Sequence, residues 1–192
     1  MAIELVDICK SYASDLVLDR FSCKIDNGSV TCIMGQSGSG KTTLIRIMLG
    51  LEQIDSGYVS GLSELRKSVV FQEDRLCENL TAAANIRIVC NKSVGIGSII
   101  SAMSALELPV EFAKRSVRSM SGGEKRRIAL LRSLMADYDI LLMDEPFKGL
   151  DADTKDKAMI FVKDQTKGKT VIFVTHDESE CGIMGASPIY LG

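Results

Sequence analysis

Neither sign of charge is in surplus: 23 lysines and arginines stand against 25 acidic residues, a net charge of −2. A general attraction to nucleic acid or anionic lipid is thereby excluded, and any anion must be held by local chemistry. Long apolar runs are missing too. Short runs such as Val171-Ile-Phe-Val and Ile140-Leu-Leu-Met fall far short of the roughly 20 residues that span a bilayer. There is one histidine, and the six cysteines contain no C-x-x-C pair, which argues against a zinc site. Those cysteines (Cys9, Cys23, Cys32, Cys77, Cys90 and Cys181) are expected to be reduced, buried and apolar in habit. Basic residues are absent around Met1, where Glu4 and Asp7 stand instead, so no signal peptide is expected and the chain reads as cytosolic. With three prolines, no Pro-rich linker, no repeat and no low-complexity stretch, nothing divides the chain. Its 192 residues read as one domain, long enough to bury about 70% of the unfolded surface.

What is present is ordinary for a folded protein, 46% hydrophobic and 25% charged, which rules out disorder, collagen and coiled coil. The opening 30 or so residues alternate apolar and polar, as in Ile3, Leu5, then Phe21, Cys23 and Ile25, and predict antiparallel strands. Val30-Thr-Cys-Ile-Met, a glycine-rich loop and the helical pattern of Leu44, Ile45, Ile47, Met48 and Leu49 follow. Strand, loop, helix is the order that phosphate binding requires. Residues 79–120, Ala-rich and interrupted by Pro109, predict a helical lobe. Ser121 opens a helix to about Ala136, 140–143 and 171–174 read as buried strands, and 153–163 as a helix between them. Uninterrupted apolar strands of this kind imply parallel neighbours covered on both faces.

Gly35, Gln36, Ser37, Gly38, Ser39, Gly40, Lys41 and Thr42 fit G-x-x-x-x-G-K-[ST], followed by Thr43. Its glycines let backbone N–H groups converge on phosphate oxygens, Lys41 adds a cation and Thr42 a hydroxyl for Mg²⁺. Asp144 and Glu145 close an apolar strand. At such carboxyl ends, Asp144 can hold the metal and Glu145 can polarise water, although an acidic turn entering a helix at Pro146 would look the same. Ser121-Gly122-Gly123-Glu124 is a capping box by pattern, yet a cap needs no paired glycines, which leave a helix N-terminus open to an anion. His176 and Gln72 follow apolar strands at the same sheet edge, where Gln72 can reach metal or water by its amide. Tyr12 can stack on adenine or serve as an edge aromatic.

Taken together and in order, these residues resemble the ATP-binding cassette family, the nucleotide-binding subunits of ABC transporters, over nearly the whole chain. Tyr12 resembles the A-loop, Gly35 to Thr43 Walker A, Gln72 the Q-loop, Ser121 to Glu124 the signature, Asp144 and Glu145 the end of Walker B, Asp151 the D-loop and His176 the switch. The resemblance implies an α/β P-loop cassette with an antiparallel β subdomain, a mainly parallel core sheet and a helical lobe. It further implies ATP and Mg²⁺, with Lys41, Gln72, Glu145 and His176 in catalysis, Thr42, Gln72 and Asp144 at the metal, and a head-to-tail homodimer whose signature completes the partner's site. Expected partners are integral membrane permease subunits and an extracytoplasmic substrate-binding protein, with no nucleic acid, at the cytoplasmic face of the membrane. Residues 70–76, Val-Phe-Gln-Glu-Asp-Arg-Leu, resemble importers of the nitrate/sulfonate/taurine type, with Glu73 to Leu76 and the helical lobe in the docking groove. An exporter or lipoprotein-releasing motor remains the alternative. A soluble cassette of DNA repair or translation lacks its basic footprint here, and a P-loop kinase has no use for Ser121-Gly122-Gly123. Met120, Glu124 and Lys148 depart from the commoner Leu, Gln and small residue, and a chain ending at Gly192 is expected to carry no regulatory C-terminal domain.

Overall fold

The computed structural model describes residues 2–191; Met1 and Gly192, the ends of the stretch read above, lie outside the described residues. Strand β1 (Ala2–Tyr12) pairs antiparallel with β2 (Asp15–Asp26) on one side and β4 (Ser56–Ser60) on the other. The inward positions of β1 begin odd, at Ile3 and Leu5, and become even, at Ile8 and Lys10. A bulge between Leu5 and Ile8, with Asp7 at φ 49°, accounts for the change of parity, because one extra residue turns every later side chain to the other face.

The second sheet runs β5 (Lys67–Val70), β6 (Ile140–Asp144), β7 (Thr170–Thr175), β3 (Val30–Met34), β8 (Ser187–Tyr190), and every pair in it is parallel. Both β6 and β7 are buried from end to end, as strands covered on two faces must be. Alternation then splits their side chains between two cores. Ile33, Ile140, Leu142, Ile172 and Val174 pack with Leu44, Ile45 and Met48 of α1 (Lys41–Leu49) and with Ile3, Leu5 and Ile25 of the antiparallel sheet. Cys32, Met34, Leu141, Met143 and Phe173 face α4 (Gly122–Leu134), α5 (Ala152–Gln165) and α6 (Glu178–Met184), together with the lobe formed by α2 (Ala82–Arg87), α3 (Ile96–Ala105) and two 3-10 turns. Each large side chain so buried contributes about 1.5–3 kcal/mol over its exposed state.

The cysteines depart from expectation. Cys32 of β3 and Cys181 of α6, both buried, are joined by a disulfide with a Cα–Cα distance of 5.9 Å. The fold brings them together because the odd-even split turns Cys32 toward α6. Cys9, Cys23 and Cys90 are only partly buried and Cys77 is exposed, so burial holds for the bonded pair alone. No helix among the described residues is long and apolar enough to cross a membrane.

Candidate functional site

The carboxyl ends of β3, β5, β6 and β7 share one edge of the sheet, and the loops that leave them carry the glycine-rich turn, Gln72, Asp144-Glu145 and His176. A cavity of about 390 Å³ opens there, lined by Tyr12, Val17, Ser37, Gly38, Gly40, Lys41, Thr42, Thr43, Gln72, Asp144, Glu145 and Lys148. Gly40 precedes α1 at φ 92°, and a Cβ there would stand 2.9 Å from both Val17 and Leu18. Only glycine suits a left-handed backbone pressed against a strand. Lys41 is buried, and its ammonium donates to the carbonyls of Gly35 (2.7 Å) and Gln36 (2.6 Å). Its third N–H remains for a ligand. Gly35 and Gln36 therefore hold the lysine and do not line the cavity. Ser39 turns to a groove beside Tyr190 and Leu191, with its buried Oγ unpartnered among the described residues.

Asp144 is 3% exposed. Burial pushes its carboxyl above the usual range, against the pull of a hydrogen bond from Thr42. A buried carboxylate beside a hydroxyl and the amide of Gln72 offers hard oxygen donors, the set that Mg²⁺ takes. Glu145 stands at φ 44°, its N–H donating to the Val174 carbonyl at 3.0 Å. A non-glycine residue held there costs about 1–2 kcal/mol and persists where the surroundings impose it. One carboxylate oxygen lies 3.3 Å from His176 Nδ1, and the other 2.6 Å from the Lys148 ammonium. Burial alone would raise this carboxyl, but Lys148, and less strongly His176, outweigh it and hold it below the ordinary range.

The signature residues lie elsewhere. Ser121 caps α4 as a full capping box: its Oγ accepts from Glu124 N at 3.3 Å, and its own N–H donates to the Glu124 carboxylate at 2.8 Å. Ser121, Gly122, Gly123 and Glu124 do not line the cavity. Gly123 sits beside Gly149 and Leu150. Asp151, expected to bind nucleotide, caps α5 through Thr154 N at 3.1 Å and is likewise outside the cavity. Thus Tyr12, Gln72, Asp144 and Glu145 converge with Lys41, Thr42 and Thr43 around the cavity, and His176 joins them through Glu145, whereas the signature and Asp151 do not.

Arg126 escaped the sequence reading. Its guanidinium, 3% exposed, donates to the carbonyls of Phe71 (2.6 Å), Gln72 (3.3 Å), Asp144 (3.1 Å), Glu145 (2.5 Å) and Pro146 (2.7 Å), and to Asp74 (3.2 Å). It ties the Gln72 loop to the Glu145 loop. The available signal was a cation on the inward stripe of α4, in line with Ala129 and Leu130.

A phosphate loop after one parallel strand, an acidic pair after another and a glycine-tipped helix outside the cavity define a P-loop nucleotide-binding cassette. The chain belongs to the ABC transporter family, whose profile matches residues 18–148. It is 35% identical to a sulfate/thiosulfate import ATP-binding protein CysA of Bradyrhizobium diazoefficiens over 94% of this chain and 58% of that protein. It is 34% identical to a spermidine/putrescine import ATP-binding protein PotA of Treponema pallidum over 93% of this chain and 51% of that protein. A probable CysA of Chlorella vulgaris is 33% identical, with 83% of its length covered. Apart from such cases, the chain spans a little over half the length of the curated relatives it matches. Its fold superposes on a dimeric post-hydrolysis structure of the ATP-binding cassette MJ0796 bound to ADP and Pi, with TM-score 0.85 and 27% identity over 98% of this chain and 94% of that one.

Proposed function

We propose that this chain hydrolyses ATP as the motor of an ABC importer, acting as a head-to-tail pair docked on integral membrane permease subunits at the cytoplasmic face, fed by an extracytoplasmic substrate-binding protein. The observation that carries this reading is the division of the site: Lys41, Asp144 and Glu145 share one cavity, while the open tip of α4 stays outside it. A second copy can bring that tip to the nucleotide by two-fold symmetry. Import is favoured by the relatives, named for sulfate/thiosulfate and spermidine/putrescine uptake, which share a direction and differ in cargo. A groove beside the cavity, lined by Ile45, Leu51, Phe71, Gln72, Glu73 and Arg75, supports docking next to the Gln72 loop.

In this reading Lys41 and the N–H groups of the glycine-rich loop bind the β- and γ-phosphates. Thr42, Asp144 and Gln72 would hold Mg²⁺, which when bound neutralises phosphate charge. Tyr12 packs on the base. Glu145 orients water and accepts its proton as the oxygen–phosphorus bond forms and the bond to the bridging oxygen breaks. His176 steadies the terminal phosphate from the other side of Glu145. Glu145→Gln is expected to keep ATP affinity while phosphate release falls at least ~10²-fold, the scale of a lost general base. Near-normal steady-state release by that variant would overturn the assignment.

A further inference from the structure

Among the described residues, two cations line the cavity, and they are held in different ways. Lys41 is buried and anchored by two carbonyls. Lys148 has a side chain 55% exposed, and its ammonium rests on the Glu145 carboxylate alone. Its backbone is fixed: Lys148 N donates to the Glu145 carbonyl at 3.2 Å, Phe147 is buried beneath the turn, and Gly149 at φ 82° ends it. The turn thus sets a half-exposed cation over the residue proposed to activate water. With Asp144 and Glu145 opposite Lys41 and Lys148, the cavity's fixed charges balance, and an incoming triphosphate upsets that balance.

We propose that Lys148 is a second phosphate-binding cation, parked on Glu145 until a terminal phosphate enters the cavity and draws it away. The inference rests on the ATP reading above. A flexible four-carbon stem allows the transfer without backbone movement, and a multiply charged phosphate competes for an ammonium better than a single carboxylate does. Departure of the ammonium also frees one Glu145 oxygen to accept a proton from water. Lys148 therefore distinguishes a third phosphate from two.

The test is titration of wild type, Lys148→Ala and Lys148→Arg with Mg²⁺ and either ADP or a non-hydrolysable ATP analogue. Because the side chain is half exposed, the fold is expected to survive both changes. Lys148→Ala should lose about tenfold in affinity for the triphosphate, the scale of one charge-assisted hydrogen bond, while ADP binds within twofold of wild type. Lys148→Arg should restore the preference. An equal change for both nucleotides, or no change, overturns the inference, and so does a raised kcat with both affinities intact, which would make Lys148 a brake only. A wild-type chain that binds neither nucleotide would instead overturn the ATP reading itself.

Discussion

Arg126 shows how one buried side chain can hold a site from outside its cavity, through the backbone of the residues that line it. It serves five carbonyls from two loops, and a buried carbonyl without a donor costs about 1–3 kcal/mol. Those loops carry Gln72 and Glu145 past the carboxyl ends of β5 and β6. Arg126→Ala is expected to lose about 2–4 kcal/mol, read as a fall in Tm of about 5–15 °C for a chain this size. Arg126→Lys keeps the charge but not the planar fork and should fall between. A Tm for Arg126→Ala within about 1 °C of wild type would show that the carbonyls find other donors. The same residue marks the limit of reading single positions: Lys41, Asp144 and Glu145 stand in patterns whose chemistry is local, whereas the partners of Arg126 lie 18 to 55 positions away.

Elements were legible where burial wrote a period into the chain. β6 and β7 stand out as apolar runs, and α4 as a capped helix, because packing on both faces or on one stripe constrains every residue. β4, Ser-Gly-Tyr-Val-Ser, is exposed along most of its length and is a strand only because β1 supplies its partner. α6 has seven residues and little periodicity; tertiary contacts define it. Cys32 and Cys181, separated by 149 positions, meet for the same reason. Part of what fixes α6 is ionic. Lys155 of α5 reaches Asp177 (2.5 Å) and buried Glu180 (2.7 Å), which joins the helix after Asp151 to the loop of His176. The Lys155 ammonium, then Ser179, hold the Asp177 carboxyl down at about 2. A carboxyl depressed in the folded state contributes its stability in full above its unfolded value, near 4, and loses it as pH falls toward about 2. Asp177→Asn retains a capping oxygen for α6 but not the charge. Its urea midpoint should therefore drop less than that of wild type between pH 5 and pH 2.5, and an equal drop in both proteins would exclude the ion pair as a source of acid sensitivity.

The capping box at the start of α4 occupies two of its first N–H groups and leaves two others open. Ser121 Oγ and the Glu124 carboxylate satisfy the Glu124 and Ser121 N–H groups. The N–H groups of Gly122 and Gly123 are not used in this cap, so the helix keeps a positive tip. Inside one chain that tip has no work near the cavity, and its geometry predicts a variant that separates folding from assembly. At Gly122 an added Cβ would meet nothing within 4 Å, and an acidic side chain in a first turn suits the helix. Gly122→Asp should therefore melt within about 2 °C of wild type and bind ADP normally. Brought against a partner's nucleotide, however, its carboxylate would face phosphate, and like charges at an interface cost several kcal/mol. In a Glu145→Gln background, light scattering in Mg²⁺ and ATP should show dimers for the parent and monomers once Gly122→Asp is added. Dimers of equal strength in both would mean that the α4 tip does not close the site. Hydrolysis would then have to be completed within one chain, by residues that already line its cavity.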